Sequence, residues 1–379
     1  MRGWRRPRTV SVLVAIGGEL KWIGVVGADQ DNDGTHGHPT MPRQRRIDQS
    51  RTSLWPGLPS AVAGGEIVRL TKNMGNVMHQ RIDEWAPELQ TIVSIAAPIS
   101  ILAEGLGGPK GPAEGPVWWH EGGYLLFSDI HHDRRMKYQP GAGLSVDQER
   151  TNHANGLTRD HKGRLIACEN AARRVTRREP DGDITVVMNS FQGRRLWRPN
   201  DVVVRSDGCI YFTDPWTGNA ARPEWDRSHS AVFRVTPDLG TKTLLVDDFD
   251  LPNGLAFSPD ESVLYINDSR RGHIRAFDIA PSGMLARKTD RVFADLLGEE
   301  PGVPDGMKVD SLGNVYCGGS GGIWILDPSG KKLGRIVHGA HTTTNLAFGG
   351  DDWKTLYFTT HHALGCVTLK VPGVPVPKR

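Results

Sequence analysis

The chain has 379 residues, 38% of them hydrophobic, which is enough for two or three average domains or for one large all-β domain. Its net charge of +3 is uneven: residues 1–81 hold 12 Lys and Arg against 6 Asp and Glu, whereas the remainder holds 34 against 37. The slightly acidic body argues against a nucleic-acid partner. No apolar stretch approaches the roughly 18–20 residues of a membrane span, so no membrane association is predicted either.

Residues 1–83 form a basic leader that we expect to be poorly structured, because Gly, Arg, Asp and Pro recur without periodicity. An apolar run from Val10 to Gly17 follows a basic start, but Glu19 and Lys21 make it a poor signal peptide. A cytoplasmic location is therefore favoured, and a secreted or periplasmic one stays open if this segment is a signal. Residues 84–98 are predicted to be a short helix or linker.

The four cysteines are far apart in the sequence, and no two of them form a C-x-x-C pair. Each lies in or beside a short apolar run, where a thiol packs as a small hydrophobic group. Buried free thiols are therefore predicted rather than disulfides, which favours a reducing compartment weakly.

The sequence contains six copies of one pattern: a polar residue, a short alternating strand, a turn with Gly or Asp, and a second apolar strand. Successive copies are 40 to 53 residues apart. Such a period, built of short strands, is typical of a β-propeller with four strands per blade. The leading polar residues of the six copies are Glu114, Asn155, Asn200, Asn253, Asp305 and Asn345.

The sequence thus predicts an all-β fold, a six-bladed β-propeller over residues 99–379. The sixth copy supplies only three strands before the chain ends, and a bare sheet edge is unfavourable in a soluble protein. Residues 99–105, "ISILAEG", are predicted to return as the missing outer strand. The last blade is then closed by an N-terminal strand.

In a propeller the first strand of each blade lines the central channel, so the six leading side chains should meet near one mouth. All six carry a side-chain oxygen, and Glu114 and Asp305 are carboxylates. Oxygen ligands with about two negative charges suit one hard divalent cation, Ca²⁺ first, with Mg²⁺ or Mn²⁺ as alternatives. Any one of these residues alone is more often a turn former. However, the six residues occupy the same position in each copy of the pattern, and two carboxylates in a narrow channel would repel each other. Both observations favour a metal site over simple turn residues.

The ordered motifs "EGPVW", "NGLTRD", "RPNDVVV", "FTDP", "LPNGLAFSPD" and "PDGMKVD" resemble the SMP-30/gluconolactonase/luciferin-regenerating-enzyme-like (SGL) family of six-bladed propellers. The likeness runs from about Leu102 to Val371. It implies one divalent metal, usually calcium, with Zn²⁺ a further alternative, held by Glu114, Asn200, Asn253 and Asp305. It also implies that Arg198 contacts the substrate together with Asn200, Asn155 and Trp197. The assignment by resemblance is weakest at Trp197, because small or amide residues are more usual at this position in the family.

The resemblance implies hydrolysis of sugar lactones, so a small sugar lactone is the predicted partner. The cation would polarise the lactone carbonyl, and Asp305 would act as general base or as nucleophile; the sequence leaves both roles open. Trp197 and Trp216 are candidates for stacking on a sugar face. Alternative functions are hydrolysis of other esters or phosphotriesters, a non-hydrolytic synthase-like reaction, or a non-enzymatic scaffold stabilised by the ion. The oligomeric state is not predicted.

Three further patterns are assigned structural roles. "GGSGG", Gly318–Gly322, matches G-x-S-x-G, but two predicted strands flank it, whereas a nucleophile elbow needs a strand followed by a helix. The pairs His131-His132 and His361-His362 follow strand ends without metal-ligand spacing and are read as loop histidines. The arginine-rich run 173–178 is predicted to form a solvated strand face.

Overall fold

The computed structural model of the chain describes residues 9–16, 19–26, 79–108, 111–218, 226, 228–339 and 342–378. The chain divides into two compact units, Met1–Thr71 and Lys72–Arg379. In the first unit, strands β1 (Thr9–Ile16) and β2 (Glu19–Val26) pair as an antiparallel hairpin. The predicted leader therefore contains this hairpin, and most of the rest of it lies outside the described residues.

The second unit confirms the six-bladed β-propeller. It begins with β3 (Arg81–Glu84), the single-turn helix α1 (Leu89–Ile92) and β4 (Ile99–Glu104). Blade 1 comprises β5 (Ala113–Trp119), β6 (Tyr124–Asp129), β7 (Arg134–Gln139) and β8 (Gly143–Glu149). Blade 2 comprises β9 (Ala154–Arg159), β10 (Leu165–Glu169), β11 (Arg174–Arg178) and β12 (Ile184–Met188), and is followed by a small hairpin of β13 (Ser190–Phe191) and β14 (Arg194–Arg195).

Blades 3 to 5 are each continuous in the chain. Blade 3 comprises β15 (Val202–Val204), β16 (Ile210–Asp214), β17 (Ala231–Val235) and β18 (Lys242–Val246). Blade 4 comprises β19 (Pro252–Phe257), β20 (Val263–Asp268), β21 (His273–Asp278) and β22 (Arg291–Asp295). Blade 5 comprises β23 (Met307–Val309), β24 (Val315–Gly319), β25 (Gly322–Leu326) and β26 (Lys332–Val337), and blade 6 supplies β27 (Thr343–Gly349), β28 (Thr355–Thr360) and β29 (Ala363–Thr368).

The ring is closed by a strand from the N-terminal side, as the sequence predicted. Strand β4 pairs antiparallel with β29 and completes blade 6. The sequence did not predict that β3 pairs with β26 and adds a fifth strand to blade 5. The predicted domain limits at residues 83 and 98 remain predictions, although β3 begins before the first of them, at Arg81.

Adjacent blades pack face to face through apolar side chains that alternate along the strands. Between blades 2 and 3, for example, Ile166 and Cys168 pack in one buried cluster with Val202 and Phe212. Such sheet-on-sheet layers supply the hydrophobic burial that holds the blades together. The predicted free thiols fit this core: Cys168, Cys209 and Cys317 are buried, Cys366 is half-buried, and none forms a disulfide.

The C-terminal segment packs against the end of the channel opposite the leading residues. The Val374 N–H donates to the Val309 carbonyl oxygen (3.2 Å), and the Ser311 N–H donates to the Pro372 carbonyl oxygen (2.8 Å). Val374 to Lys378 line an apolar cavity of about 90 Å³ under the channel together with Val117, Leu157 and Val202. Within the described ranges, no helix has the length and apolar character needed to span a membrane.

We predict that α1 stabilises the propeller rather than acting as a linker. Leu89 is fully buried against blades 5 and 6, so Leu89→Ala should lower the free energy of unfolding by about 2–5 kcal/mol. Thr91→Ala, at an exposed position of the same turn, should cost less than about 1 kcal/mol. Urea denaturation of both variants checks this, and equal midpoints for the two would contradict it.

Candidate active site

The six leading residues lie on successive blades around one mouth of the channel, at points where the neighbouring backbones approach closely. A Cβ on Gly156 would lie 2.6 Å from the Asn200 carbonyl oxygen, and one on Gly254 would lie 2.3 Å from that of Asp305. A Cβ on Gly306 would lie 2.2 Å from Asn345 Oδ1. The glycine that follows a leading residue is thus required by the narrow inner circle.

Hydrogen bonds between blades fix the backbone of these leading residues. Ser128 Oγ donates to the Asn155 carbonyl oxygen (2.7 Å), and Thr213 Oγ1 donates to that of Asn253 (2.8 Å). Asn267 Nδ2 donates to the Asp305 carbonyl oxygen. Each donor lies on the second strand of the preceding blade, so the position of one leading residue depends on its neighbour in the ring.

The leading side chains lie at two depths. Glu114, Asn155 and Asn345 are buried, with 4%, 7% and 1% of their surfaces exposed. Asn200, Asn253 and Asp305 are half-buried. The last three are therefore the members of the ring that a ligand entering from solvent meets first. All four predicted metal ligands lie on this ring; their roles remain predictions.

Burial and mutual repulsion perturb the carboxyl groups of the ring. Desolvation, together with the charges of Asp305 and Asp201, raises the pKa of Glu114 well above its usual range. Desolvation and the charge of Asp201 likewise raise the pKa of Asp305 well above its usual range. The Glu114 and Asp305 carboxyl groups therefore repel each other, which agrees with their position at the same end of the channel.

Two charged residues of this cluster were missed by sequence reasoning. Asp201 is 2% exposed, and desolvation raises its pKa while the nearby Lys308 ammonium opposes that rise. Lys308 Nζ donates to the Met307 carbonyl oxygen (2.9 Å) and to Asn345 Oδ1 (3.3 Å). The sequence does contain a signal for Asp201. This residue directly follows a leading residue, at the position where four other copies of the pattern have glycine.

The donor set fits a hard cation that is bound partly by amide oxygens. Among the described residues, five buried side-chain oxygens have no hydrogen-bond partner: Asn155 Oδ1, Asp201 Oδ2, Asn253 Oδ1, Asn267 Oδ1 and Asp305 Oδ1. Buried polar oxygens of this kind are costly unless a ligand, ion or water satisfies them. In the described part of the chain, no three His, Cys, Asp or Glu side chains form a group that could hold a metal alone. An ion here would therefore need the asparagine oxygens as well as the carboxylates.

Beside the ring lies a cleft of about 280 Å³ that contains the predicted substrate-contacting pair Trp197 and Arg198. The buried Asp214 at the end of β16 accepts hydrogen bonds from the Trp197 N–H (3.0 Å) and the Arg198 N–H (2.8 Å). Arg198 Nε donates to Asn170 Oδ1 (2.7 Å), and Asn170 Nδ2 donates to the Pro199 carbonyl oxygen (2.9 Å). The loop that delivers Arg198 is thus fixed by two neighbouring blades.

The same arrangement, a buried aspartate at a strand end that accepts two backbone N–H groups, recurs elsewhere in the ring. Asp268 at the end of β20 accepts from the Asp250 N–H (2.7 Å) and the Leu251 N–H (3.1 Å), just before the leading residue Asn253. Trp216, the other predicted stacking residue, does not line the cleft, whose described lining is His153, Asn170, Ala171, Arg173, Trp197 and Arg198.

The three patterns that were assigned structural roles lie in strand turns and ion pairs, and Gly318 of the first pattern lies next to the ring, because its N–H donates to the Gly306 carbonyl oxygen (3.1 Å). Ser320 of "GGSGG" is buried in the turn between β24 and β25, and its hydroxyl donates to the Glu300 carbonyl oxygen. His132 Nδ1 lies 2.9 Å from Asp129 Oδ2. In the run 173–178, Arg174 pairs with Glu169 (2.7 Å), so this strand face is ion-paired and less solvated than predicted.

Comparison with known proteins gives a consistent result. The model of the "SMP-30/Gluconolactonase/LRE-like region" family matches residues 112–362. A gluconolactonase from Zymomonas mobilis is 30% identical over 337 residues, which cover 83% of this chain and 93% of the relative. The pentonolactonase XacC of Haloferax volcanii is 30% identical over 65% of this chain and 80% of its own length.

Solved structures show the same propeller. A gluconolactonase from Xanthomonas campestris superposes with a TM-score of 0.68 at 30% identity and covers 77% of this chain and 96% of that one. A calcium-binding regucalcin from Agrobacterium tumefaciens superposes with a TM-score of 0.62 at 19% identity, over 74% and 97% of the two chains. At that identity the second likeness shows the fold alone.

We predict that the metal-free protein loses stability as the pH rises. The pKa values of Glu114, Asp201 and Asp305 are raised in the folded state. Above about pH 4 these three carboxyl groups therefore lose their protons in the unfolded chain but keep them in the folded protein. The contribution of these three groups to the free energy of unfolding is therefore greatest below their unfolded pKa values and falls towards neutral pH. Asp201→Asn keeps an oxygen for the Val202 N–H, relieves the repulsion and should flatten this fall.

Thermal unfolding of chelator-treated protein at pH 5.5 and pH 8 measures this effect. The Asn variant should melt several degrees above the wild type at pH 8, since about 1 kcal/mol corresponds to roughly 2–4 °C in a domain of this size. A variant that melts below the wild type at pH 8, with the same dependence on pH, would contradict the account.

Proposed function

The chain belongs to the SMP-30/gluconolactonase/LRE-like family, and we propose that it is a divalent-metal-dependent hydrolase of sugar lactones. The observation that carries this proposal is the set of unpartnered buried oxygens at the open mouth of the channel, among them Asn253 Oδ1 and Asp305 Oδ1. The named activities of the relatives, gluconolactonase and pentonolactonase, support the substrate class. Both act on lactones of sugar acids.

Glu114, Asn200, Asn253 and Asp305 would hold the cation. Their oxygens give two carboxylates and two neutral amides, a donor set that Ca²⁺ accepts because it tolerates loose geometry and carbonyl ligands. When bound, such a cation polarises the lactone carbonyl and offsets the negative charge that develops on its oxygen.

Asp305 is the residue that we assign to proton transfer. It lies at the half-buried mouth, and its Oδ1 atom has no hydrogen-bond partner. As a general base it would take one proton from water while the water oxygen bonds to the lactone carbon; the ring C–O bond then breaks and the released oxygen takes up a proton. As a nucleophile it would attack the same carbon itself. Both routes need the ionised carboxylate.

Arg198 would orient the substrate from the cleft beside the ring. Its Nε atom donates to Asn170 Oδ1 and the residue is exposed, so its remaining guanidinium N–H groups are accessible to a ligand. A guanidinium only donates hydrogen bonds, so these groups suit the oxygens of a sugar lactone. Trp197 would offer a flat apolar surface beside them.

We predict that activity on aldonolactones requires both the ion and the Asp305 carboxylate. Removal of the metal with EDTA should lower kcat/KM for glucono-1,5-lactone by at least about a hundredfold, and excess Ca²⁺ should restore it. Asp305→Asn keeps a side-chain oxygen but cannot accept the proton, so kcat should fall by about a thousandfold or more. A pH-stat assay of acid release measures both effects.

The matched control is Asp183→Asn, the same substitution at an exposed position on blade 2. This variant should keep the wild-type rate. A phosphotriester and a simple aryl ester assayed beside the lactones test the competing hydrolase functions. Wild-type activity that EDTA leaves unchanged, or an Asp305→Asn variant that retains its lactonase rate, would overturn the proposal.

A further inference from the structure

We propose that His153 is a second substrate-contacting residue, which accepts a hydrogen bond from a ring hydroxyl of the lactone through Nε2 and thereby selects polyhydroxylated substrates. This inference rests on the proposed lactonase function and deepens it. Arg198 donates to the substrate from one wall of the cleft, and His153 supplies an acceptor on another. Neither the sequence motifs nor the relatives assign a role to His153.

The first support is the position of His153 relative to the leading residue of its blade. His153 lies two residues before the leading residue Asn155, and Arg198 lies two residues before the leading residue Asn200. The two blades are in direct contact at this level, because the Gly156 N–H donates to the Asn200 carbonyl oxygen (2.8 Å). His153 and Arg198 are therefore equivalent positions on adjacent blades, and both line the cleft of about 280 Å³.

The second support is the orientation of the imidazole ring. His153 Nδ1 lies 2.7 Å from the Ile130 carbonyl oxygen. A carbonyl oxygen can only accept, so Nδ1 carries the hydrogen, and the neutral ring then presents Nε2 as an acceptor. The backbone is fixed as well, because the His153 N–H donates to Asp133 Oδ1 (2.6 Å) and the residue has a φ of +49°. A non-glycine residue is held in this conformation only when its surroundings determine it.

The third support is the balance of donors and acceptors in the cleft. The guanidinium groups of Arg173 and Arg198 can only donate. Asn170 Oδ1 already accepts from Arg198 and Asn170 Nδ2 donates to the Pro199 carbonyl oxygen, and with 7% of the residue exposed the second lone pair of Oδ1 is buried. Among the side chains described around the cleft, His153 Nε2 is thus the acceptor left for a hydroxyl hydrogen. A sugar hydroxyl both donates and accepts, so it satisfies the two walls together.

This arrangement makes a claim about selectivity. A site built to hydrogen-bond a hydroxyl discriminates against an analogue that lacks it, because its polar groups are then left unpaired. A polyhydroxylated lactone can bond to both His153 and Arg198, whereas an unsubstituted lactone of the same ring size offers only its ester oxygens. His153 should therefore affect the first substrate and not the second.

The test is the variant His153→Asn, assayed on glucono-1,5-lactone and on δ-valerolactone. Asparagine tolerates positive φ, and its amide nitrogen can replace Nδ1 as donor to Ile130, so the loop is retained while the Nε2 acceptor is lost. We expect kcat/KM for glucono-1,5-lactone to fall about tenfold, mainly through KM, and that for δ-valerolactone to change less than twofold. An equal loss on both lactones, or no loss on either, would overturn the assignment.

A binding measurement separates this inference from the proposed function. The probe is 1,5-anhydro-D-glucitol, a ring polyol without the carbonyl group, titrated against tryptophan fluorescence because Trp197 lies in the cleft. Should the wild type hydrolyse no lactone, the proposed function fails, yet a Kd about tenfold weaker in His153→Asn still supports the His153 contact. Equal Kd values for the two proteins, or no binding to the wild type, would refute that contact.

Discussion

The structure depends on the enclosure of negative charge at the centre of a closed ring. Six blades meet around a channel so narrow that glycine must follow most of the leading residues. A Cβ on Gly254, for example, would lie only 2.3 Å from the Asp305 carbonyl oxygen. The same closure brings Glu114, Asp201 and Asp305 within electrostatic reach of one another. Lys308 supplies one positive charge to this cluster. Like charges that share a low-dielectric site repel each other strongly, so a divalent cation would compensate the cluster that the fold creates.

The rest of the molecule holds this cluster in place. Buried aspartates at strand ends, Asp214 and Asp268, accept backbone N–H groups from the loops that carry the leading residues. Carboxylate acceptors of this kind make stronger hydrogen bonds than neutral ones and fix the loops against their strands. The C-terminal segment packs against the opposite end of the channel, where it lines a cavity of about 90 Å³. A polar ring held in place on rigid strands is suited to binding a small substrate beside an ion.

Much of this architecture could be predicted from the sequence because a propeller repeats itself. The spacing of the six patterns gave the blade number, and their register gave the leading residues. The incomplete sixth copy gave the closure by residues 99–105, of which Ile99–Glu104 form the strand. Asp201 and Lys308 were missed because their importance depends on which strand face lines the channel, and a local pattern does not show this for single charged residues. The same holds for Leu89, which packs on blades far away in the chain.

His153 shows the same limit more clearly. Its register equivalence to Arg198 is visible in the sequence, yet the role follows only from the Ile130 carbonyl oxygen that fixes the imidazole ring. That contact joins residues 23 positions apart on different blades. Sequence periodicity therefore identifies the ring, whereas the chemistry of the residues beside it depends on contacts between blades.

The central claim is that one divalent cation lies at the channel mouth between Glu114 and Asp305. The most direct measurement is anomalous diffraction from crystals of the protein grown with Mn²⁺, collected at the manganese edge. The account predicts a single strong peak within coordination distance of oxygens from Glu114, Asn200, Asn253 and Asp305. Well-ordered side chains at these four positions with no peak among them, or a peak elsewhere on the propeller only, would contradict it.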